Sequence, residues 1–283
     1  MSVLVNKIDF AALVTVTKAN PNGDPLNGNR PREDFNGYGE ISDVCIKRKI
    51  RNRLQDMGEK IFVQSADRCD DGAKSLHDRA EKNESIKKAS KDAEKYALAA
   101  CAEWIDVRAF GQVFAFKGDK VSVGVRGPVS IRTAESVSQI DISTMQITKS
   151  VNGETKDTKS SDTMGSKSRV EFGLYVIRGS INPQLAEKTG FSEEDAEKIK
   201  QAIMTLFEND SSSARPDGSM EVRQVYWWKH NCKMGQYSSA KVHNSLEIHL
   251  KASIDQPTRF EDYDVILKEL DGLQPVIEEN NCR

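Results

Sequence analysis

The chain has 283 residues, 37% hydrophobic and 30% charged, with a formal net charge of −2. That length can bury a core without disulfide or metal staples; the composition excludes a disordered chain, and no run approaches the roughly 20 apolar residues of a membrane span. The neutral average hides an asymmetry: residues 255–283 carry eight acidic against three basic groups, so the rest is +3, and five of the seven residues 47–53 are Lys or Arg.

Residues 8–17 alternate, with Ile8, Phe10, Ala12, Val14 and Val16 on one side and Asp9, Ala11, Leu13, Thr15 and Thr17 on the other, which predicts a strand. The next stretch, ANPNGDPLNGNRPREDFNGYGE, is dense in Gly, Pro and Asn and predicts a long loop with several turns. Long ordered loops in compact domains tend to be functional. Ser42 is placed to cap a helix whose first turn holds Asp43, and Ile46, Ile50, Leu54 and Met57 form its buried stripe. At about 100° per residue, Arg48 points away from that stripe, Lys49 and Arg51 flank it, and Lys47 sits at its edge. Residues 67–95 are strongly charged with only Leu76 and Ile86 as apolar anchors, which predicts a mobile insertion or exposed helix stiffening into 96–104.

Val121, Val123 and Val125 predict a strand that breaks at Gly127-Pro128 and resumes at Val129 and Ile131. Residues 133–169 are rich in Ser, Thr, Lys and Asp around Asn152-Gly153, a short hairpin signal with too little apolar surface for independent order. A strand over 170–181 places Phe172, Leu174 and Val176 on one face. Ser192-Glu-Glu-Asp195 opens a helix with Ala196, Ile199, Ile203, Leu206 and Phe207 on one side. Strands at 222–229 and 246–252 follow. The order is βαββαβ plus one strand, an α+β, ferredoxin-like arrangement shared with RNA-recognition modules. A single domain over 1–283 is expected, with insertions at 67–104 and 133–169.

Enzyme signatures are missing: there is no G-x-x-x-x-G-K-[ST], G-x-S-x-G or H-E-x-x-H. His77, His230, His243 and His249 do not pair at metal-ligand spacing, and five scattered cysteines without a C-x-x-C pair fit reduced thiols. Neither a metal nor a cofactor is expected. The N-terminus lacks the layout of a signal peptide, so a cytoplasmic location is expected. The positive signals are the basic helix opening out of a Gly-rich loop, which favours an anion at its N-terminus, and the polar arm, which gains order from a partner. A solvated charged face and a disordered loop are the plainer alternatives.

The loop NPNGDPLNGNRPR (residues 20–32) followed by SDVCIKRKIR (residues 42–51) closely resembles the guide-RNA-binding backbone subunit of type I CRISPR Cascade complexes. Within that RAMP superfamily the chain most resembles the type I-C form. IDVRAFGQVF (105–114), VRGPVSI (125–131) and DTMGSKSRVEFGLYVIRGSI (162–181) match in the same order. The resemblance implies a right-hand shape: an RNA-recognition-like palm, helical fingers at 67–104 and a β-hairpin thumb at 133–169. It implies copies polymerising in a helical filament along guide RNA, each thumb flipping out a base, so that the guide can pair with target DNA in antiviral defence beside other Cascade subunits. Lys47, Arg48 and Arg51 would hold guide phosphates, with Lys49 extending their field. Arg30, Arg32, Arg126, the Met164-Gly165-Ser166-Lys167 turn and Arg169 would line the same groove. Arg108 and Phe110 fall in a matching motif, Phe110 as either core or a base-stacking platform. Sequence would be read by base pairing, so backbone and shape contacts suffice.

Related type III subunits cut RNA with an aspartate in the loop after the first strand, where this chain has Asp24 and Asp34. The NGDP setting of Asp24 reads as turn chemistry, so a non-enzymatic scaffold is expected. A metal-dependent endoribonuclease on the same fold and a stand-alone single-strand RNA-binding module are the alternatives.

Overall fold

The computed structural model describes residues 2–116, 122–148 and 164–280. In chain order its first half runs β1 (Ile8–Ala19), β2 (Gly23–Asp24), β3 (Arg30–Pro31), β4 (Tyr38–Ile41), α1 (Asp43–Asp56), α2 (Leu76–Lys82), α3 (Glu84–Ala89), α4 (Ala93–Glu103), α5 (Ile105–Phe110), β5 (Gly111–Phe114), β6 (Val123–Arg126) and β7 (Val129–Ile131). The second half runs β8 (Ala134–Gln139), β9 (Ile142–Thr148), β10 (Met164–Ile181), α6 (Pro183–Thr189), α7 (Glu193–Met204), β11 (Met220–Lys229), α8 (Ser239–Asn244), β12 (Leu246–Leu250), β13 (Tyr263–Leu267) and β14 (Val276–Glu279).

The molecule is α+β, built on one large antiparallel sheet of order β14-β11-β1-β10-β8-β4, to which β7 and β9 add by pairing with β10. β1 is the centre: Val14 pairs with Tyr175 of β10, and Ala11 with Tyr226 of β11. Tracing β1, α1, β7 with β8, β10, α7 and β11 gives a strand, helix, two strands, helix and strand, with β10 between the first two strands and β11 outside β1. One sheet face packs Phe10, Val14, Tyr175 and Ile177 against Ile46, Ile50 and Leu54 of α1 and Ile199 and Ile203 of α7. The other packs Leu13, Leu174, Val176 and Trp228 under α8 and the β12–β13 hairpin. Covered on both sides, β1 is buried at nine consecutive positions from Ile8 to Val16, so neither alternating side meets solvent over that stretch. Asp9 survives there because Lys7 and His230 each approach its Oδ2 to 2.9 Å.

Several expectations shift. Residues 67–95 are not a loose charged segment: α2, α3 and α4 close over a third cluster of Phe62, Ala80, Ile86, Ala89, Tyr96, Ala100, Trp104 and Phe114. Its small anchors are alanines, and buried Arg79 ties it down through Phe62 O (2.7 Å) and Asp71 (2.5 Å). The Arg79 fork holds the Asp71 carboxyl well below the usual carboxylate range. The polar stretch that begins at residue 133 starts with sheet: Ala134 is buried and β8 pairs with both β10 and β4. Among the described residues, β9 and the first part of β10 make an arm, in seven antiparallel pairs from Met164↔Thr148 to Val170↔Ile142. Asn152-Gly153, the expected turn, lies outside the described residues. Met164 to Lys167 is strand, not turn. The strand expected over 246–252 pairs only with β13, apart from the main sheet.

Where β5 and β6 leave α5, two glycines are obligatory. Gly111 has φ +81°, and a Cβ at Gly127 would lie 2.3 Å from the Ala109 carbonyl oxygen.

Candidate nucleic-acid interface

The loop after β1 is organised by its own polar side chains. β2 pairs with β3, Asp24 Oδ1 accepts from Leu26 N (3.2 Å), and Arg32 Nη2 lies 3.4 Å from the same oxygen. Asn20 Nδ2 donates to Asn29 O (2.6 Å), closing a tip where Gly28 and Asn29 both take positive φ. Asp34 accepts from Asn36 N and Tyr38 N, both at 2.8 Å, and these bonds lower its pKa, the Tyr38 amide most. Asp24 and Asp34 thus act as turn and cap groups here. Among the described residues no three His, Cys, Asp or Glu side chains converge on a point that could hold a metal ion.

Two ties bring this loop to its neighbours. Asn22 Oδ1 accepts from Ser42 N and Ser42 Oγ, both at 2.9 Å, while Ser42 caps α1 through Cys45 N. Arg30 Nη1 donates to Thr144 Oγ1 on β9 (3.4 Å). Loop, helix start and arm therefore share one corner, with Arg30, Arg32 and Lys47 at its half-exposed surface. Lys47 is held by Asp43 (2.9 Å) one helical turn earlier and Arg30 lies 3.6 Å from Glu33, pairs that are weak in water and readily exchanged.

The remaining basic groups of α1 are far less free than a charge count suggests. Lys49 is buried against Asp210, which Arg215 also holds (3.1 Å). Burial pushes its pKa down, with Asp210 pulling the other way. It belongs to the inward face of the helix rather than to its flank. Arg51 Nε donates to fully buried Asp106 (2.9 Å), whose two oxygens also accept from Phe62 N (2.7 Å) and Val63 N (3.1 Å). The Arg51 guanidinium lies 5.0 Å from the Phe110 ring centroid, so Phe110 is a half-buried partner of the helix and one ring face is taken. Arg48 donates to Val63 O (2.6 Å), and burial followed by Arg51 lowers its pKa. Arg108 makes a two-pronged pair with Asp195 (2.9 and 2.7 Å). Burial raises the Asp195 carboxyl, but the Arg108 fork and the Ser192 bonds outweigh it and hold it below its ordinary value. Arg108 therefore anchors the capped start of α7.

On the strands, Arg126 ends β6 exposed, and its side chain has no partner among the described residues. Gly165 and Ser166 lie exposed on the arm, half-exposed Lys167 faces Met145 across the ladder, and the Met164 backbone faces Thr148. Arg169 reaches Glu171 at 3.2 Å. Sequence reading missed the corner's apolar groups. Leu26 and Phe35 are almost completely exposed, and Val44 projects from the first turn of α1. An aromatic in a loop otherwise built of turn residues was the available signal for Phe35. Cations interleaved with an exposed aromatic suit a single nucleic-acid strand, with phosphates held by the cations and a base by the ring.

A family model described as CRISPR-associated protein Cas7 matches residues 6–268. A CRISPR-associated protein Cas7 from Haloferax volcanii is 25% identical over 268 residues, covering 86% of this chain and 76% of the relative. Among solved structures, a chain of a pre-nicking CRISPR RNA-guided surveillance complex aligns at TM-score 0.47 and 15% identity, covering 78% of each chain. A chain of another such complex aligns at 0.47 and 16% identity, covering 78% of this chain and 68% of its own. Those two likenesses are too loose to bear on function.

Proposed function

The chain belongs to the CRISPR-associated protein Cas7 family, and from that premise we propose that it is a Cascade backbone subunit. In this reading it binds guide RNA, lines up with further copies of itself and other Cascade subunits, and presents the guide to target DNA. The family match across nearly the whole chain is the observation that carries the reading. The corner where the Asn20–Arg32 loop, the start of α1 and the β9–β10 arm meet supports it with a surface rich in donors.

The palm is the main sheet with α1 and α7, the fingers are the α2–α4 insertion, and the thumb is the arm of β9 with the first part of β10. Arg30, Arg32, Lys47, Arg126 and Lys167 hold phosphates, and Phe35 offers a face to a base. Arg48 contributes its outward N–H groups, while Lys49, Arg51 and Arg108 act mainly by fixing the helices. Binding rather than catalysis is the role of this surface, since Asp24 and Asp34 serve the turns. The test is to purify the protein from its native host and sequence the RNA that accompanies it. Repeat-derived guides of uniform length support the reading; random cellular RNA, or none, overturns it.

A further inference from the structure

The side chains of three described arginines, Arg126, Arg132 and Arg178, have no hydrogen-bond, ion-pair or ring partner among the described residues, and of these only Arg178 is half-buried. β7 and β10 run antiparallel with Ile181↔Val129, Ser180↔Ser130 and Gly179↔Ile131. The bond from Arg132 N to Arg178 O (3.0 Å) carries that register one step further, so the two arginines stand directly opposite each other. Opposed side chains in a sheet have Cβ atoms about 5 Å apart, and like charges there are destabilising. Arg178 shares its sheet face with Phe172, Leu174 and Val176, the face away from α1.

Among the described residues no carboxylate forms an ion pair with either arginine: Glu135, on the neighbouring strand, only partly offsets the charge of Arg178 from a distance. Asp9 is taken by Lys7 and His230. His243, packed beside the arginines and bonded to Gly179 O (3.1 Å), has its pKa lowered first by burial and supplies no negative charge in either form. Burial and Arg132 together lower the pKa of Arg178. One step along the same face, about 6.7 Å away, Ser130 and Ser180 complete a two-by-two block of donors. Ser180 also borders a cleft of about 210 Å³ lined by Lys7, Lys233 and Ser239. Lys233 is paired with Glu187 and Lys7 with Asp9, so the arginines are the unneutralised charge of this region.

We propose that Arg132 and Arg178, with the hydroxyls of Ser130 and Ser180, form a second anion site that takes a phosphate-class oxyanion on the sheet face opposite α1. Two guanidinium forks can share one such group through charge-assisted bonds, which turns their repulsion into attraction. The group can come from free phosphate or from the phosphodiester backbone of a nucleic-acid strand. The site shares no residue with the α1 corner, so a defect here with corner binding intact separates the two.

The test uses the full chain, the double variant Arg132→Gln/Arg178→Gln, Arg178→Lys, and Arg132→Gln alone for the phosphate-free comparison. Without phosphate, Arg132→Gln should raise the melting temperature, because it removes the opposed charge; a lowered melting temperature would mean the arginines are structural partners and would overturn the site. Inorganic phosphate should raise the melting temperature of the wild type more than that of the folded double variant, and an Arg178→Lys variant should keep part of the effect. Equal shifts in all three proteins overturn the proposal. A labelled oligonucleotide then tells the sources apart. A log–log salt slope reduced by about 0.7 in the double variant assigns a backbone phosphate; an unchanged slope beside a lost phosphate response assigns free phosphate.

Discussion

The arginines of α1 and α5 and those at the ends of β6 and β7 meet opposite fates. Arg51 and Arg108 point at carboxylates that are almost wholly buried, Asp106 and Asp195. The side chains of Arg126 and Arg132 are exposed, with no partner among the described residues. In sequence Arg51, Arg108 and Arg126 all fall in stretches that resemble the family, and Arg132 carries no signal of its own. In three dimensions the second pair carries the charge that a ligand can reach. The contrast separates two roles of arginine: a fork that satisfies a buried carboxylate holds helices in place, and a fork without a partner is available for phosphate.

Breaking the first region should cost stability most. Asp106→Ala strands Arg51 and frees the amides of Phe62 and Val63, so denaturant unfolding should show a loss of about 3–5 kcal/mol. Arg108→Ala removes one partner from a site where Ser192 still serves Asp195, and about 2–3 kcal/mol should go. Acid sharpens the same point. The pKa of Asp195 is depressed in the folded state, so the stability it gives is fully present above its unfolded value of about 3.9 and is lost as pH falls through the lower folded value. The stability gap between wild type and Arg108→Ala should stay constant from neutral pH down to about 5 and narrow only below about 4. A gap that already closes between pH 7 and 5 would point to a different titrating group. In the second region, Arg126→Ala should change stability by no more than about 0.5 kcal/mol.

How much of this was legible in the sequence depended on how local the cause was. The Ser42 cap, the Ser192–Asp195 capping box and the strands on either side of β1 are set by neighbours within a few residues, and all are present. The fate of Lys49 depends on Asp210, 161 positions away, and that of Arg51 on Asp106, 55 away; no helical wheel contains either partner. The α2–α4 insertion hid its core because alanines and the aliphatic part of a buried arginine do the covering that periodicity assigns to large apolar residues. The start of the polar stretch at residue 133 did not announce a strand of the main sheet, because Ala134 and Ser136 are small or polar yet buried by strand pairing. The acidic tail, read only as charge, holds β13 and β14.

The central claim is that accessible charge at the loop, arm and β6, rather than the basic count of α1, holds the strand. The direct measurement is the salt dependence of single-strand RNA affinity for the wild type and for Arg30→Gln/Arg126→Gln, on two unrelated RNA sequences. The variant should fold normally, bind both RNAs more weakly by the same factor, and lose about 1.4 from its log–log salt slope, about 0.7 for each phosphate contact. A slope identical to that of the wild type would contradict the account and return these two arginines to plain solvent-facing residues.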